Sequence, residues 1–127
     1  MLNLNCPELD AYHTECDELL SSFDYTHFTD SFSALIHHTK EHFANEERIM
    51  KALNFQGYVE HFEEHQKILG EMIQFLAMAM QGNTLFAKNY IKNGVAERLD
   101  LHIRTIDSQL AMFLKSKSEF ETKTNET

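Results

Sequence analysis

The chain has 127 residues, which is enough for one hydrophobic core but too few for a second independent domain. It carries 20 acidic and 11 basic residues without a basic cluster, and its formal net charge of −9 argues against nucleic acid or an anionic membrane surface as a partner. One proline and four glycines, together with apolar residues at helical spacing, exclude a strand-rich fold and favour long helices.

The cysteines and the N-terminal segment predict a cellular location. Cys6 and Cys16 are too few and too close to the N-terminus to form a disulfide framework, so we expect two free thiols in a reducing compartment. Residues 1–7 lack the basic and apolar segments of a signal peptide, and no segment reaches the roughly 18 to 20 apolar residues of a membrane-spanning helix. We therefore expect a cytoplasmic protein.

Four amphipathic segments are separated by short polar breaks. The predicted helices span approximately residues 6–23, 29–53, 58–81 and 85–115. Asn5 and Thr84 are the predicted N-caps of the first and fourth helices, and Gly82 is the left-handed residue that ends the third. The pattern predicts an all-α fold, an up-down-up-down antiparallel four-helix bundle in residues 1–117, with a polar C-terminal tail in residues 118–127.

Histidine is unusually frequent, with eight residues in the chain. Each of the four predicted helices carries one or two candidate metal ligands. In chain order these are His13; His42 with Glu46; His61 with His65; and His102 with Asp107. Residues four apart differ by only about 40° around a helix, so both members of the second-helix and third-helix pairs can reach one metal ion. Five imidazoles and two carboxylates are too many for a single ion of iron, zinc, copper or manganese, so two metals are predicted.

An isolated pair of this kind is also found on solvated helix faces, where it has no function. Here the five histidines are distributed over all four predicted helices, near the middle of each and within or beside an apolar stripe. Burying several unpartnered imidazoles and carboxylates in one bundle is costly, and metal coordination satisfies them together. We therefore favour a metal centre over a chance polar cluster.

The chain resembles the hemerythrin family, specifically its single-domain bacteriohemerythrin type. The resemblance covers nearly the whole chain and is carried by these segments: Leu9-Asp10-Ala11-Tyr12-His13, His42-Phe43 with Glu46-Glu47 and Met50, His61 and His65, and His102-Ile103 with Asp107. It implies two iron ions joined by an oxo or hydroxo bridge. It further implies this ligand assignment: His13 and His42 on one iron, His61, His65 and His102 on the other, and Glu46 and Asp107 bridging both.

The spacing on the fourth helix conflicts with regular α-helical geometry. Residues five apart, such as His102 and Asp107, lie about 140° from each other on an ideal helix. We therefore predict a local π-type widening between them, because such winding brings the two side chains toward one line. Asn93-Gly94 marks a second weak point inside the same helix.

The resemblance implies a protein that binds dioxygen, or another small diatomic ligand, reversibly for storage, delivery or sensing. Reversible binding requires a dry, aprotic pocket. Four apolar residues within a turn of the ligands are candidates for its wall, although ordinary core packing explains them equally well: Phe43, Phe62, Leu99 and Ile103.

Two features depart from the expected pattern. The family usually carries a tryptophan where this chain has Arg98. This predicts rapid oxidation or a changed ligand preference if Arg98 faces the pocket, and a thinner pocket wall if it faces solvent. His27, His37 and His38 fall outside the motif and are expected at the surface or at helix caps, with His38 also placed to support a ligand.

Two other functional classes remain open at this point. With the same ligands, the chain could be an enzyme, either a di-iron oxidase, a peroxide-handling protein or a nitric-oxide-linked iron-repair factor. A structural bundle that binds zinc or no metal is the third interpretation. No catalytic side chain is predicted.

Overall fold

The computed structural model describes residues 3–126, and the side chains of residues 3–118. Three regular helices come first: α1 (Pro7–Ser21), α2 (Phe28–Ala52) and α3 (Tyr58–Met80), with a short 3-10 turn, Tyr25–His27, before α2. The fourth helix, α4, occupies residues 85–126, and no strand occurs within residues 3–126. The all-α four-helix prediction is confirmed, with α2 packed on both α1 and α3 and α3 packed on the start of α4.

The α4 helix is continuous but contains two π-helical segments. Its consecutive segments are α-helical Leu85–Asn89, π-helical Tyr90–Gly94, α-helical Val95–His102, π-helical Ile103–Asp107 and α-helical Ser108–Glu126. The predicted widening between His102 and Asp107 is therefore confirmed. The earlier π segment coincides with the predicted weak point, where a Cβ on Gly94 would lie 3.1 Å from the ring of Tyr90.

The ends of the helices differ from the predictions in two places. The N-cap of α1 is Cys6 rather than Asn5, because the carboxylate of Asp10 folds back and accepts the backbone N–H groups of Leu4 and Cys6 at 2.9 and 2.8 Å. At the other end of the chain, α4 continues to Glu126, past the predicted helix end near residue 115. The division into a bundle of residues 1–117 and a tail stays a prediction.

The loop after α3 follows the expected pattern. Gly82 has the left-handed φ of 91°, and the next residue, Asn83, donates its backbone N–H to the carbonyl of Met78 at 3.0 Å. This closes the last turn of α3 and reverses the chain into α4. No helix among the described residues is both long enough and apolar enough to cross a membrane.

Among the side chains of residues 3–118, two apolar clusters form the core, one on each side of a polar layer. The larger cluster includes Phe32, Ile68 and Val95, all without measurable exposure, and the smaller includes Leu9 and Leu110. On every helix the predicted ligands lie in sequence between members of the two clusters. The packing of ordinary side chains thus holds the polar layer near the middle of the bundle.

Candidate metal centre

The structure brings all seven predicted ligands together inside the bundle. Each of these side chains is buried, with no more than 6% of its surface exposed: His13, His42, Glu46, His61, His65, His102 and Asp107. They come from all four helices, α1, α2, α3 and α4. The sequence pattern therefore identified the polar residues that meet at one place in the fold.

Glu46 presents its two carboxylate oxygens to different histidines. Oε1 lies 3.0 Å from Nε2 of His61 and 3.1 Å from Nε2 of His65, both on α3. Oε2 faces Nε2 of His42, one turn earlier on α2. The carboxylate thus spans two sets of imidazoles.

Asp107 spans the same two sets from the opposite side. Its Oδ1 lies 3.0 Å from Nε2 of both His61 and His102, and its Oδ2 lies 3.0 Å from Nε2 of His13. The contact with His102 depends on the π winding of residues 103–107, which turns the two side chains to one face of α4.

Potential ligand atoms form two overlapping groups, and within each group all atoms lie within 4.8 Å of one another. The first group contains Glu46, His61, His65, His102 and Asp107, and the second contains His13, His42 and Glu46. All the histidines direct the same atom, Nε2, toward the carboxylates. This donor set of imidazole nitrogen and carboxylate oxygen can hold metal ions.

Several of these atoms are close together without being hydrogen-bonded. Nε2 of His42, Nε2 of His102, Oε2 of Glu46 and Oδ1 of Asp107 are fully buried and lack a hydrogen-bond partner. Nε2 of His102 and Oδ1 of Asp107 are nevertheless only 3.0 Å apart. Buried polar atoms in this arrangement fit ligands of shared ions, because a metal would satisfy the donor atoms that hydrogen bonding leaves unmatched.

The charges of the group depend on one another. Burial and the nearby charge of Asp107 raise the pKa of Glu46, but close contacts with the imidazoles of His42, His61 and His65 outweigh them and hold it below its ordinary value. The pKa of Asp107 is raised by burial and lowered more strongly by hydrogen bonds from the surrounding histidines, so it also falls. Burial lowers the pKa of His61, yet its close contacts with both carboxylates raise it to about 9.

The outward-facing Nδ1 atoms have unequal support. Nδ1 of His65 lies 2.8 Å from Oε2 of Glu47, at hydrogen-bond distance. Nδ1 of His102 is buried without a hydrogen-bond partner, and the nearest carboxylate oxygen, on Glu64, is 3.8 Å away. Carboxylates at this position orient a ligand histidine and increase its basicity. The sequence pattern indicated no role for Glu47 and Glu64, although each lies next to a predicted ligand in the chain.

Aromatic rings fix two of the ligand rings. The ring of Phe43 stacks on His65 at 3.7 Å between centroids, and the ring of Tyr12 stacks on His42 at 4.6 Å. These contacts restrict rotation of the imidazoles and so contribute to a preformed site.

A cavity adjoins the His13 and His42 side of the group. Its lining consists of ligand side chains, apolar residues and protic residues: His13, His42, His102 and Asp107; Phe43, Leu99 and Ile103; Cys16, His38 and Thr39. Phe43, Leu99 and Ile103 thus occupy the predicted place, whereas Phe62 is absent from the lining and stacks on Tyr58. The sequence pattern did not place Cys16 and Thr39 in a pocket.

Arg98 and the three histidines outside the motif lie in different environments. His27 and His37 are exposed and pair with Asp24 and Glu41, as expected of surface residues. His38 is half-buried and lines the cavity. Arg98 neither lines the cavity nor extends into solvent, because its guanidinium pairs with two glutamates of α3.

Three curated relatives align with the chain. A hemerythrin subunit of Sipunculus nudus is 29% identical over 100 residues, which cover 79% of this chain and 77% of the relative. Hemerythrin of Themiste dyscrita is 32% identical over 69 residues, covering 54% of this chain and 50% of the relative. Myohemerythrin of Riftia pachyptila is 33% identical over 73 residues, covering 58% of this chain and 54% of the relative. No protein-family model and no solved structure matches the chain.

The coupled charges predict how the stability of the metal-free protein depends on pH. The lowered pKa values of Glu46 and Asp107 stabilise the fold above their ordinary values of 4.5 and 3.8, and this contribution is lost as the pH falls. The raised pKa of His61 stabilises the fold below 6.5, and that contribution is lost as the pH rises through about 9. The free energy of unfolding, measured with denaturant, should therefore be largest at pH values above the ordinary carboxylate pKa values and below the ordinary histidine pKa of 6.5.

Chelator-treated protein, unfolded at a series of pH values from about 4 to about 10, provides the measurement. In His61→Asn the decline on the alkaline side should be reduced. A constant free energy of unfolding across the alkaline range in the unsubstituted protein would contradict the coupling.

Proposed function

Since the chain belongs to the hemerythrin family, we propose that it is a non-haem di-iron protein that binds dioxygen reversibly, for storage, delivery or sensing. One observation supports this most directly. Each of the two buried carboxylates, Glu46 and Asp107, directs one oxygen toward the histidines of α3 and α4 and the other oxygen toward a histidine of α1 or α2. Such carboxylates are placed to bridge a pair of ions.

The same distances support the proposed ligand assignment. His61, His65 and His102 would hold one ion, His13 and His42 the other, with both carboxylates shared between them. When bound, a ferrous pair supplies two electrons that dioxygen can accept and return. Imidazole ligands predominate over carboxylates here, which distinguishes the set from the carboxylate-rich sites of ferritin-like proteins.

The cavity lies where a small ligand would enter. The two-histidine set, His13 and His42, has fewer protein ligands than the three-histidine set and borders the cavity. Phe43, Leu99 and Ile103 give this cavity an apolar wall, and each is buried. An apolar wall excludes water from a reactive centre and slows irreversible oxidation.

A second candidate function is an enzymatic one, and the protic part of the cavity wall favours it. Burial and the nearby charge of Asp17 raise the pKa of Cys16 to about 12, so this thiol keeps its proton. The hydroxyl of Thr39 donates to the carbonyl of Leu35, whereas Nε2 of His38 is buried without a hydrogen-bond partner. Proton donors beside the centre would favour loss of reduced oxygen as hydrogen peroxide, as in an oxidase, or reaction with nitric oxide.

Metal content and oxygen binding test the proposal. Anaerobically purified protein should contain two iron ions per chain, and oxygen should produce a visible charge-transfer band that bleaches when the oxygen is removed. His61→Asn, which removes a nitrogen facing both carboxylates, should lose iron and the band. His37→Asn is the matched control, because His37 is exposed and pairs with Glu41 on the surface of α2.

The outcomes separate the candidate functions. Immediate and irreversible conversion to the diferric state with release of peroxide would favour the enzyme over the carrier. Zinc in place of iron, or no metal at all, would contradict both.

Metal affinity should also depend on Glu47. Glu47→Ala removes the carboxylate at 2.8 Å from Nδ1 of His65, so the affinity for metal should fall by about 10-fold to 100-fold. Competition with a chromophoric chelator measures the change. Glu63→Ala is the control, because Glu63 is exposed on the same helix as His65. Equal affinities of the two variants would exclude a role for Glu47 in supporting His65.

A further inference from the structure

The two Nδ1 atoms that face glutamates differ in a way that their own residues do not explain. Both His65 and His102 belong to the three-histidine set, and both are buried. Glu47 lies at hydrogen-bond distance from the first, whereas Glu64 remains 3.8 Å from the second. The unpartnered Nδ1 of His102 is thus within a small movement of a carboxylate that does not bind it.

Arg98 accounts for the difference. Its Nη1 lies 2.6 Å from Oε1 of Glu64, the same oxygen that faces His102, and its Nε lies 3.4 Å from Oε2 of Glu71. Arg98 precedes His102 by four residues, so the two side chains leave α4 on the same face. The guanidinium therefore anchors Glu64 to α4 one turn away from the ligand.

The ion pair is shielded enough to hold this geometry. The side chains of Arg98 and Glu64 are only 20% and 19% exposed, and Glu71 supplies a second anchor for the guanidinium. Oε1 of Glu64 accordingly bonds to Arg98 rather than to Nδ1 of His102.

We propose that Arg98 is a positioning residue that keeps Glu64 from bonding to Nδ1 of His102, and that it thereby limits how strongly His102 donates to the metal. A carboxylate bonded to Nδ1 would make the imidazole a stronger donor and would favour the more oxidised state of the ion that it binds. Arg98 thus raises the reduction potential of the metal centre. This inference rests on the proposed function only in taking His102 as a ligand.

The test compares Arg98→Met, Glu64→Gln and the double variant. Arg98→Met keeps the apolar stem and frees Glu64 to approach His102. The affinity for Co²⁺ should rise on the order of tenfold, and iron-loaded protein should be reduced only at a lower potential. Glu64→Gln alone should change either quantity little, and the double variant should return to the value of Glu64→Gln, because no carboxylate remains to be released.

A matched control tests the geometry further. Glu71→Gln removes the second anchor but keeps the contact between Arg98 and Glu64, so it should leave both measurements close to those of the unsubstituted protein. If Arg98→Met does not fold, as judged by circular dichroism, Arg98→Gln takes its place with the same expected result.

Equal effects of Arg98→Met with and without Glu64→Gln would overturn the proposal, as would an unchanged or lowered affinity in Arg98→Met. Co²⁺ binding requires neither iron nor oxygen. A failure of the oxygen-binding proposal is therefore distinguishable: the variants would still differ in Co²⁺ affinity while none bound oxygen reversibly.

Discussion

The structure depends on compensating two carboxylates that are enclosed at the centre of a helical bundle. Glu46 and Asp107 have almost no exposure, and their oxygens face the Nε2 atoms of the surrounding imidazoles. Removing carboxylates from water costs several kcal/mol each, so a bundle that encloses them must return comparable interactions. Every helix contributes to that compensation, which explains why the polar layer occupies the middle of the fold with apolar packing on either side.

Much of this could be predicted because the relevant patterns are local. Helical spacing of apolar residues gave the four helices, and the i, i+4 spacing of His42 with Glu46 and of His61 with His65 placed each pair on one face. The π winding after His102 was predictable for the same reason, since a five-residue interval is incompatible with one face of an α-helix. In each case the geometry of a single helix decides the result.

The features that escaped prediction depend on contacts between helices. Glu64 is an ordinary helix-surface residue in the sequence, and its role follows only when α4 places Arg98 beside it. The lining of the cavity could not be predicted, because it depends on Cys16 of α1 and Thr39 of α2 facing the same space. At the start of α1, the pattern indicated Asn5 as the cap, whereas Asp10 reaches back to the free N–H groups from inside the helix. Cap motifs identify residue types that can accept the free N–H groups, but they do not show which of several nearby acceptors binds them.

The π segment after His102 also limits how this chain can vary in length. A π turn accommodates one residue more than an α turn, so the segments before and after Ile103–Asp107 stay in phase with their neighbours despite the extra residue. Loss of one residue between His102 and Asp107 would let an α turn replace the π turn, and this would leave the packing of Leu99 and Leu110 and the direction of the aspartate nearly unchanged. A one-residue gap between His102 and Asp107 in a homologue would therefore be compatible with both the bundle and the centre, whereas an added or lost residue in the regular helix on either side would turn packed side chains away from the core.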